Sequence, residues 1–178
     1  MESCVWRRAA LCDLPQILRL VEQAQRFLAA CGVDQWQDGF PTEDVLRQDI
    51  TCRQGYVVTV DGIVSAFVCL SLEPEEAYAH PIRGGFRLSG PYATIHRTAV
   101  DDACRGRGLS HILFSVCQRE AAAAGKTVLR IDTHPDNARM RHIIRREGFT
   151  ECAEIRMGNG TVRIVYEKQL ERSERKEK

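Results

Sequence analysis

The clearest chemical signal in this sequence is a short segment of alternating arginine and glycine, Arg105-Gly106-Arg107-Gly108. It follows an apolar run that ends at Val100, and the periodic apolar residues of a helix come directly after it. Glycine has no Cβ, so this backbone can approach a ligand closely, and the free N–H groups at a helix start favour anions. Two arginines add positive charge that suits phosphate. The segment therefore predicts a binding site for a pyrophosphate group.

The elements that must position this segment follow from the spacing of apolar residues. A strand, the helix that the segment opens and a second strand imply two parallel neighbours joined by a crossover. β-rich runs predict strands over residues 4–9, 56–60, 63–70, 92–100, 127–133, 149–157 and 161–168. Helical spacing predicts helices that begin at Asp13, Thr42, Gly108 and Asp136 or Asn137, with Gly32, Gly125 and Gly148 as stop signals.

Two connections between these elements carry information of their own. Asp61-Gly62, between two β-rich runs, is a strong signal for a type I′ hairpin turn. Residues 73–91 show no clear period and contain three prolines and three glycines. A structureless connection of that length is uncommon and often functional. Two interpretations of residues 73–91 therefore stay open: a part of the functional site, or a surface loop without a role.

Length and composition restrict the class of protein. The chain has 178 residues, and we expect a single domain over residues 1–170 and a charged, disordered tail over 171–178. With 25 Lys and Arg against 24 Asp and Glu, the net charge of +1 argues against a nucleic-acid-binding protein. No apolar run is long enough to cross a bilayer, and residues 1–8 lack the apolar stretch of a signal peptide. We therefore expect no membrane partner and a cytoplasmic location.

The eight cysteines show no Cys-x-x-Cys spacing. Cys12, Cys69 and Cys117 lie within periodic apolar segments, where cysteine acts as a small buried hydrophobic residue. We interpret all eight as free, buried thiols in a reducing cytoplasm, and we expect no metal site.

Two motifs, taken together, resemble the GNAT superfamily of acyl-CoA-dependent N-acetyltransferases. The first family motif is a strand followed by Arg/Gln-x-x-Gly-x-Gly/Ala at a helix start, here residues 105–110. The second is a strand, an Asn, a short helix and Gly-Phe, here residues 131–137 and then Gly148-Phe149. The motifs span residues 95–150, and the element order extends the resemblance over nearly the whole chain. It implies an α/β (α+β) fold whose mixed, mostly antiparallel central sheet has a splayed parallel strand pair and flanking helices.

The resemblance also implies where the acyl donor, acetyl-CoA, binds. In the family the two parallel strands diverge, and the acyl-CoA lies in the gap. The contacts with pantetheine then fall on backbone groups of Thr98, Ala99 and Val100, and on Asn137. The contacts with pyrophosphate fall on the backbone N–H groups of Arg105, Gly106, Arg107, Gly108, Leu109 and Ser110.

The sequence departs from the family pattern at two positions. Ser110 stands where the first motif ends in Gly or Ala, and it keeps its backbone N–H and adds a hydroxyl group. Ile144 stands where many relatives have the tyrosine that protonates the departing thiolate, and isoleucine has no proton to give. The leaving thiolate resembles that of cysteine, whose pKa is about 8.5, so it can depart without much help.

Acetyl transfer needs a base, because an alkylamine with a pKa of about 10.4 is mostly protonated at neutral pH. His96 is the first candidate: it lies two residues before Thr98 on the same strand face, and histidine suits acid–base catalysis near neutrality. A structural histidine is the alternative. Asp132 and His134, at the end of the partner strand, rank below it. Asp132 would orient a water molecule or bind the amine, and His134 has the alternative of shaping the turn before Pro135.

Trp36 and Tyr92 are the candidate acceptor-binding residues. Trp36 lies between the first two helices, a region that commonly overhangs the acceptor site in this fold, and an exposed aromatic side chain there could line a pocket. The alternative for Trp36 is a buried anchor. The helix after Asn137 carries four arginines and a histidine. For this cluster a contact with the 3′-phosphate of CoA and a solvated helix face both stay open.

We therefore predict an acetyl-CoA-dependent N-acetyltransferase that moves an acetyl group to a primary amine of a small molecule or peptide, by direct attack in a ternary complex. One rival is a CoA-binding module without catalysis, in a sensing or interaction role, which Ile144 favours. The other is an ATP-binding protein, against which the glycine segment lacks the Lys-Ser/Thr ending of a P-loop. The expected partner is the amine acceptor, and a homodimer is left open.

Overall fold

The computed structural model describes residues 4–171. Its strands are β1 (Cys4–Arg8), β2 (Gly55–Val60), β3 (Ile63–Ser71), β4 (Arg83–Gly84), β5 (Tyr92–Val100), β6 (Val128–Thr133), β7 (Thr150–Arg156) and β8 (Val162–Gln169). Its helices are α1 (Leu14–Ala30), α2 (Glu43–Thr51), α3 (Leu109–Ala123) and α4 (Ala138–Arg146). Of the predicted charged tail, residues 172–178 lie outside the described residues. Within residues 4–171, no helix has the length and apolar character that crossing a membrane requires.

The strands form a mixed sheet in the order β1-β2-β3-β5-β6-β8-β7-β4. β5 and β6 are parallel, and their register runs from Tyr92↔Val128 to Ile95↔Ile131. The pairs β1–β2, β2–β3, β6–β8, β7–β8 and β4–β7 are antiparallel. The predicted fold class is confirmed: a mostly antiparallel sheet with one parallel pair, flanked by helices.

The chain divides into two compact units, and β5 contributes to both. The first unit comprises the residues up to Leu70 together with His96–Val116. The second comprises Ser71–Ile95 and the chain from Cys117 onward.

The first unit has an apolar core between its helices and strands. The buried face of α1 repeats at helical spacing, as an amphipathic helix requires, and α2 begins at Thr42, whose hydroxyl accepts a hydrogen bond from the Val45 N–H at 3.3 Å. The predicted cap at Thr42 is therefore confirmed. The core side chains come from α1, α2, β2, β3 and β5: Leu14, Ile17, Leu20, Val21, Leu46, Ile50, Val57, Val64, Phe67, Cys69 and Ala99.

The second unit has its own core on β7 and β8. Tyr78 packs there with Cys152, Ala153, Ile155 and Val165. Tyr78 belongs to residues 73–91, which the sequence analysis describes as having no secondary structure. That description is wrong, because the segment contains a short 3-10 helix, Glu76–Ala79, and the two-residue strand β4. β4 is held by its pairing with β7, a partner distant in sequence, and so leaves no periodic signal of its own.

A second correction concerns Asp13, which was predicted to cap α1. Its carboxylate makes no capping bond to α1. It instead accepts hydrogen bonds from Arg7 Nη1 and Nη2, at 2.6 and 2.8 Å, and from the Ala10 N–H at 2.8 Å. Asp13 therefore ties the end of β1 to the turn before α1.

The cysteine prediction holds in part. All eight cysteines are free thiols. Cys69, Cys104, Cys117 and Cys152 are buried, as expected, whereas Cys4, Cys12, Cys31 and Cys52 are exposed. The expectation of burial is thus wrong for half of them, because a cysteine beside apolar neighbours in sequence can still lie on the outer face of its element. The turn at Asp61-Gly62 has positive φ at both residues, +48° and +81°, as a type I′ turn requires.

Candidate active site

Strand β5 contains a local distortion at Arg97, in the first unit. Its φ is +54°, in the left-handed region that residues with a side chain avoid, at a cost of roughly 1–2 kcal/mol. The guanidinium group is held by Asp49 on α2: Nε donates to Oδ2 at 2.5 Å and Nη2 donates to Oδ1 at 2.6 Å. The side chains are 15% and 5% exposed, so solvent screens this two-bonded ion pair little.

Of the two groups that bind the Arg97 side chain, Asp49 and Cys69, Asp49 is the counter-ion. Arg97 Nη2 also lies 3.2 Å from the Sγ of Cys69 on β3. Burial raises the pKa of Cys69 to about 12, so its thiol stays neutral at physiological pH. The negative charge beside the guanidinium group is therefore the carboxylate of Asp49.

The residues of β5 that the sequence singles out flank this distortion. His96 and Thr98 are half-buried on either side of Arg97, and Ala99 is buried in the core of the first unit. The Oγ1 of Thr98 is buried and has no hydrogen-bond partner within residues 4–171. The end of the strand is anchored to β3, because the Asp101 N–H donates to the Ser65 carbonyl at 2.8 Å.

The glycine segment lies on the surface at the start of α3. Gly106 and Gly108 both have a φ of +78°, which explains why glycine suits these positions. A Cβ built at either residue would meet no atom within 4 Å. The segment is therefore an open, left-handed loop that leaves room for a ligand against its backbone.

Four backbone N–H groups of this loop remain without an acceptor. Those of Gly106, Gly108, Leu109 and Ser110 make no hydrogen bond to any part of the chain that the structure describes. Leu109 and Ser110 begin α3, where the N–H groups have no partner in the preceding turn. Together with the positive end of the helix dipole, these donors suit an anion.

The two arginines of the loop differ in their contacts. Arg105 forms an ion pair with Asp102, and its guanidinium carbon lies 4.5 Å from the ring centre of Phe27 on α1. The Nη1 of Arg107, which is exposed, lies 3.7 Å from the Sγ of Cys104. Part of the positive charge that the sequence suggests for phosphate is thus engaged by Asp102.

In the second unit, the candidate Asp132 has a tyrosine partner. Tyr78 donates its hydroxyl hydrogen to Asp132 Oδ2 at 2.8 Å, and Tyr78 is 4% exposed. Burial, together with the nearby Asp132, raises the pKa of Tyr78 well above its usual value. The hydroxyl therefore stays protonated and fixes one oxygen of the carboxylate.

Tyr92, a candidate acceptor residue, makes several contacts inside the second unit. Its hydroxyl oxygen accepts from the Glu75 N–H at 2.9 Å. Its ring stacks on Tyr78 with centres 6.1 Å apart, and the guanidinium carbon of Arg130 lies 4.1 Å from its centre. These contacts give Tyr92 a clear packing role.

His134 and Asn137 both bond to the backbone around the start of α4. His134 Nδ1 accepts from the Asp136 N–H at 3.2 Å, which fits its turn-shaping alternative. Asn137 Oδ1 accepts from the Met140 N–H at 3.1 Å and so caps α4. Of the two predicted caps, Asp136 and Asn137, the structure selects Asn137.

Two arginines of the α4 cluster form hydrogen bonds with other parts of the protein. Arg141 donates to the Tyr166 hydroxyl at 3.0 Å and to the Pro135 carbonyl at 2.9 Å. Arg145 bonds to Glu151 at 3.1 Å. Ile144 has no exposed surface and packs inward from the same helix.

Trp36 lies in the connection between α1 and α2 and is half-buried, between the two alternatives that the sequence leaves open. Its φ of +65° is again left-handed. Gln37 Nε2 donates to the Gln25 carbonyl at 3.1 Å, and Gln25 Nε2 donates to the Phe40 carbonyl at 3.1 Å. These two bonds tie the connection to α1.

Similarity to known proteins identifies the family of this chain. The profile of the acetyltransferase (GNAT) family matches residues 20–149, most of the chain. The chain belongs to the GNAT acetyltransferase family. Among curated proteins, none is similar enough to count as a relative.

Solved structures of GNAT proteins have the same fold. A GNAT-family acetyltransferase from Streptococcus agalactiae is 29% identical, with a TM-score of 0.84 over 94% of this chain and 96% of that one. The protein yncA of Salmonella typhimurium, solved with its cofactor acetyl-CoA, is 18% identical, with a TM-score of 0.68 over 96% of each chain. The ribosomal-protein-S18-alanine N-acetyltransferase of Escherichia coli is 16% identical, with a TM-score of 0.66 over 99% of each chain.

Sequence reasoning missed three residues of this GNAT protein that contact or adjoin candidate residues: Asp49 and Arg97 in the first unit, and Tyr78 in the second. In both contacts the two partners are far apart in the chain: 48 residues separate Asp49 from Arg97, and 54 residues separate Tyr78 from Asp132. An arginine among the mainly apolar and β-branched residues of β5 is a signal that could have drawn attention to the first pair.

Proposed function

We propose that this chain is an acetyl-CoA-dependent N-acetyltransferase that acts on a primary amine of a small molecule or peptide. The observation that carries the proposal is a set of four N–H groups, at Gly106, Gly108, Leu109 and Ser110, that have no acceptor within residues 4–171 and lie at the start of α3 in a GNAT chain. A pyrophosphate offers several anionic oxygens, which such donors bind well. The residues present therefore fit the diphosphate of acetyl-CoA.

The remaining contacts with acetyl-CoA are proposed on the family pattern. Backbone groups of Thr98, Ala99 and Val100, together with Asn137, bind the pantetheine arm. The N–H groups of Arg105 and Arg107 donate to the carbonyls of Asp102 and Cys104 at 3.4 and 3.3 Å, so they extend the pyrophosphate site only where these long bonds give way. When bound, acetyl-CoA supplies a thioester whose carbonyl carbon an amine nitrogen can attack. Binding both reactants in one complex removes much of the entropic cost of their encounter.

His96 is the proposed base in this reaction. It takes one proton of the ammonium group, directly or through water, and the neutral nitrogen then forms the N–C bond while the C–S bond breaks. The second proton that the nitrogen loses passes to the departing thiolate, which leaves as the thiol of CoA. A peptide N–H near Thr98 donates to the carbonyl oxygen as negative charge grows on it. His96 is half-buried next to the distorted residue Arg97, a type of backbone strain that clusters at functional sites.

Asp132 is proposed to bind the cationic amine or to orient a water molecule. Its hydrogen bond from Tyr78 supports this role, because it fixes one carboxylate oxygen of a half-buried group. His134 is retained as a weaker candidate, since its Nδ1 already accepts from the Asp136 N–H. Trp36 and Tyr92 are proposed as acceptor-side residues.

One feature favours a second candidate function, an acyl-CoA-binding module without catalysis. Ile144 stands at the position of the family's tyrosine and is fully buried, so it offers no proton to the leaving thiolate. A thiolate with a pKa of about 8.5 is nevertheless a competent leaving group. We therefore favour catalysis without an acid at this position.

The decisive experiment measures release of the CoA thiol from acetyl-CoA with a panel of primary amines, small molecules and peptides, and follows acetyl-CoA binding by calorimetry. We expect binding and amine-dependent release. Binding without release across the panel would support the non-catalytic module. Tight ATP binding without acetyl-CoA binding would contradict both functions.

A further inference from the structure

The ion pair between α2 and β5 has a geometry that points beyond simple stabilisation. Asp49 and Arg97 are joined by two parallel hydrogen bonds of 2.5 and 2.6 Å. Two parallel bonds fix the plane of the guanidinium group as well as its position. Arg97 Nη2 also contacts the Sγ of Cys69 at 3.2 Å, which fixes the group from the β3 side. The side chain of Arg97 is thus held on two sides inside the first unit.

The backbone conformation of Arg97 is unfavourable for a residue that has a side chain. Its φ of +54° lies in the left-handed region, which glycine adopts readily and arginine does not. A positive φ interrupts the alternation of N–H and C=O directions along a strand. The directions of the peptide groups on either side, at His96 and Thr98, therefore depend on how firmly this one residue is held.

The helix α2 does not stabilise the negative charge of Asp49. It is the third residue from the end of α2, where the helix dipole disfavours a negative charge. Its side chain is 5% exposed, so removal of its partner would leave a buried charge. The ion pair with Arg97, and not the helix α2, therefore stabilises the carboxylate of Asp49 at this position.

We propose that Asp49 is a positioning residue for acetyl transfer, which acts through Arg97 to fix the peptide groups at His96 and Thr98 that face the reacting acyl group. The inference rests on the proposed function. It makes Asp49 and Arg97 one functional unit, although neither touches the reactants.

The test compares Asp49→Asn with a matched control, Asp13→Asn. Asp13 belongs to the same unit, also has a 5% exposed side chain and also binds an arginine through two bonds, but it lies directly before α1 and its arginine lies on β1. Steady-state kinetics would give kcat and the KM for acetyl-CoA, and thermal melts would report the folded fraction. We expect Asp49→Asn to lower kcat by roughly 10–100-fold with a much smaller change in the KM for acetyl-CoA, because the loop that opens α3 is unaltered. Asp13→Asn should lower the melting temperature but leave kcat within about twofold.

A double-mutant cycle tests whether Asp49 acts through Arg97. Arg97→Gly accepts the left-handed backbone but does not enforce it, and in the double variant no buried charge is left unpaired. If the two residues act as one, the double variant loses no more kcat than either single variant. Additive losses, an unchanged kcat in Asp49→Asn, or an equal loss in Asp13→Asn would overturn the inference.

A spectroscopic readout separates this inference from the proposed function. Acetyl-CoA labelled with ¹³C at its thioester carbonyl would report, through its chemical shift, the hydrogen-bond donors around that carbonyl in the bound state. We expect a shift that changes in Asp49→Asn and not in Asp13→Asn. An enzyme that binds acetyl-CoA, shows this difference and transfers to no amine would contradict the proposed activity and support the positioning role. An identical shift in all three proteins would contradict the positioning role alone.

Discussion

At the scale of the residue, the chemistry proposed here depends on His96. It lies one residue before the strained Arg97 and two before Thr98, whose Oγ1 is buried without a partner in the described range 4–171. Strain and unpaired polar atoms cost free energy, so their occurrence at the two consecutive positions 97 and 98, next to His96, is most simply explained by a function.

Replacement of His96 by alanine tests this role. We expect kcat to fall by about 10²–10⁴-fold, the usual contribution of a general base, while the affinity for acetyl-CoA stays unchanged because the glycine loop is intact. Rate measurements across pH and calorimetric titration with acetyl-CoA would check both. His80→Ala, at an exposed histidine, is the control. A variant at position 96 with the wild-type rate at every pH would remove His96 as the base.

The residue scale is also where reasoning from the sequence was weakest. It selected residue types, His96 and Asp132, because their chemistry is a property of the side chain. It could not select Arg97 or Tyr78, because their importance lies in partners, Asp49 and Asp132, that only folding brings near.

At the scale of the element, the loop that opens α3 combines two glycines with positive φ and four N–H groups that find no acceptor in the described part of the chain. These properties follow from local sequence, since glycine permits the left-handed backbone and a helix start leaves donors free. This explains why the segment could be recognised before its structure was known.

Gly108→Glu should abolish binding of acetyl-CoA. The added carboxylate brings negative charge to an anion site, and loss of even one charge-assisted bond of about 1.5–3 kcal/mol lowers affinity by roughly 10–100-fold. Gly62→Glu is a matched control, because Gly62 has a φ of +81° and equally open surroundings, in the hairpin turn. Calorimetry would measure both. Retained affinity in Gly108→Glu would count against the loop as the pyrophosphate site.

The junction of β1 with α1 allows a prediction about acid stability. The hydrogen bonds from Arg7 lower the pKa of Asp13 below its usual value, against the effect of burial. A lowered pKa in the folded state means that the ionised carboxylate stabilises the fold above about pH 4. That stabilisation is lost as the pH falls through the folded-state pKa.

Urea unfolding of wild type and Asp13→Asn at several pH values measures this contribution. We expect the variant to be less stable by about 1 kcal/mol at pH 7 and the difference to shrink as the pH drops below about 4. Asp34→Asn, at an exposed aspartate, should show no such pH-dependent difference. A gap that widens in acid would have the wrong sign for this explanation.

At the scale of the whole molecule, the two apolar cores and their edges can be probed through the cysteines. Four thiols are exposed and four are buried. Burial raises the pKa of Cys69 to about 12 and that of Cys152 to about 11, so these thiols are neutral as well as inaccessible.

Titration with a chromogenic disulfide reagent should therefore show two populations. We expect four thiols to react quickly in the native protein, those of Cys4, Cys12, Cys31 and Cys52, and all eight after unfolding in denaturant. Mass spectrometry of the labelled peptides would identify them. Rapid labelling of Cys69 or Cys117 in the native protein would contradict the core described here.

The sequence by itself determined what depends on neighbours in the chain: the strand and helix periods, the Asp61-Gly62 turn, the Thr42 cap and the glycine loop at the start of α3. Each depends on residues that lie close together in the chain, through the spacing of apolar side chains, a local hydrogen bond or the backbone freedom of glycine. Only the tertiary structure decided that Asp13 binds Arg7 and that residues 73–91 form β4 and present Tyr78 to Asp132. It also showed that Asp49 binds the side chain of Arg97, the residue of β5 with a positive φ. These contacts join distant parts of the chain, where side-chain identity gives no sign of the partner until packing has chosen it.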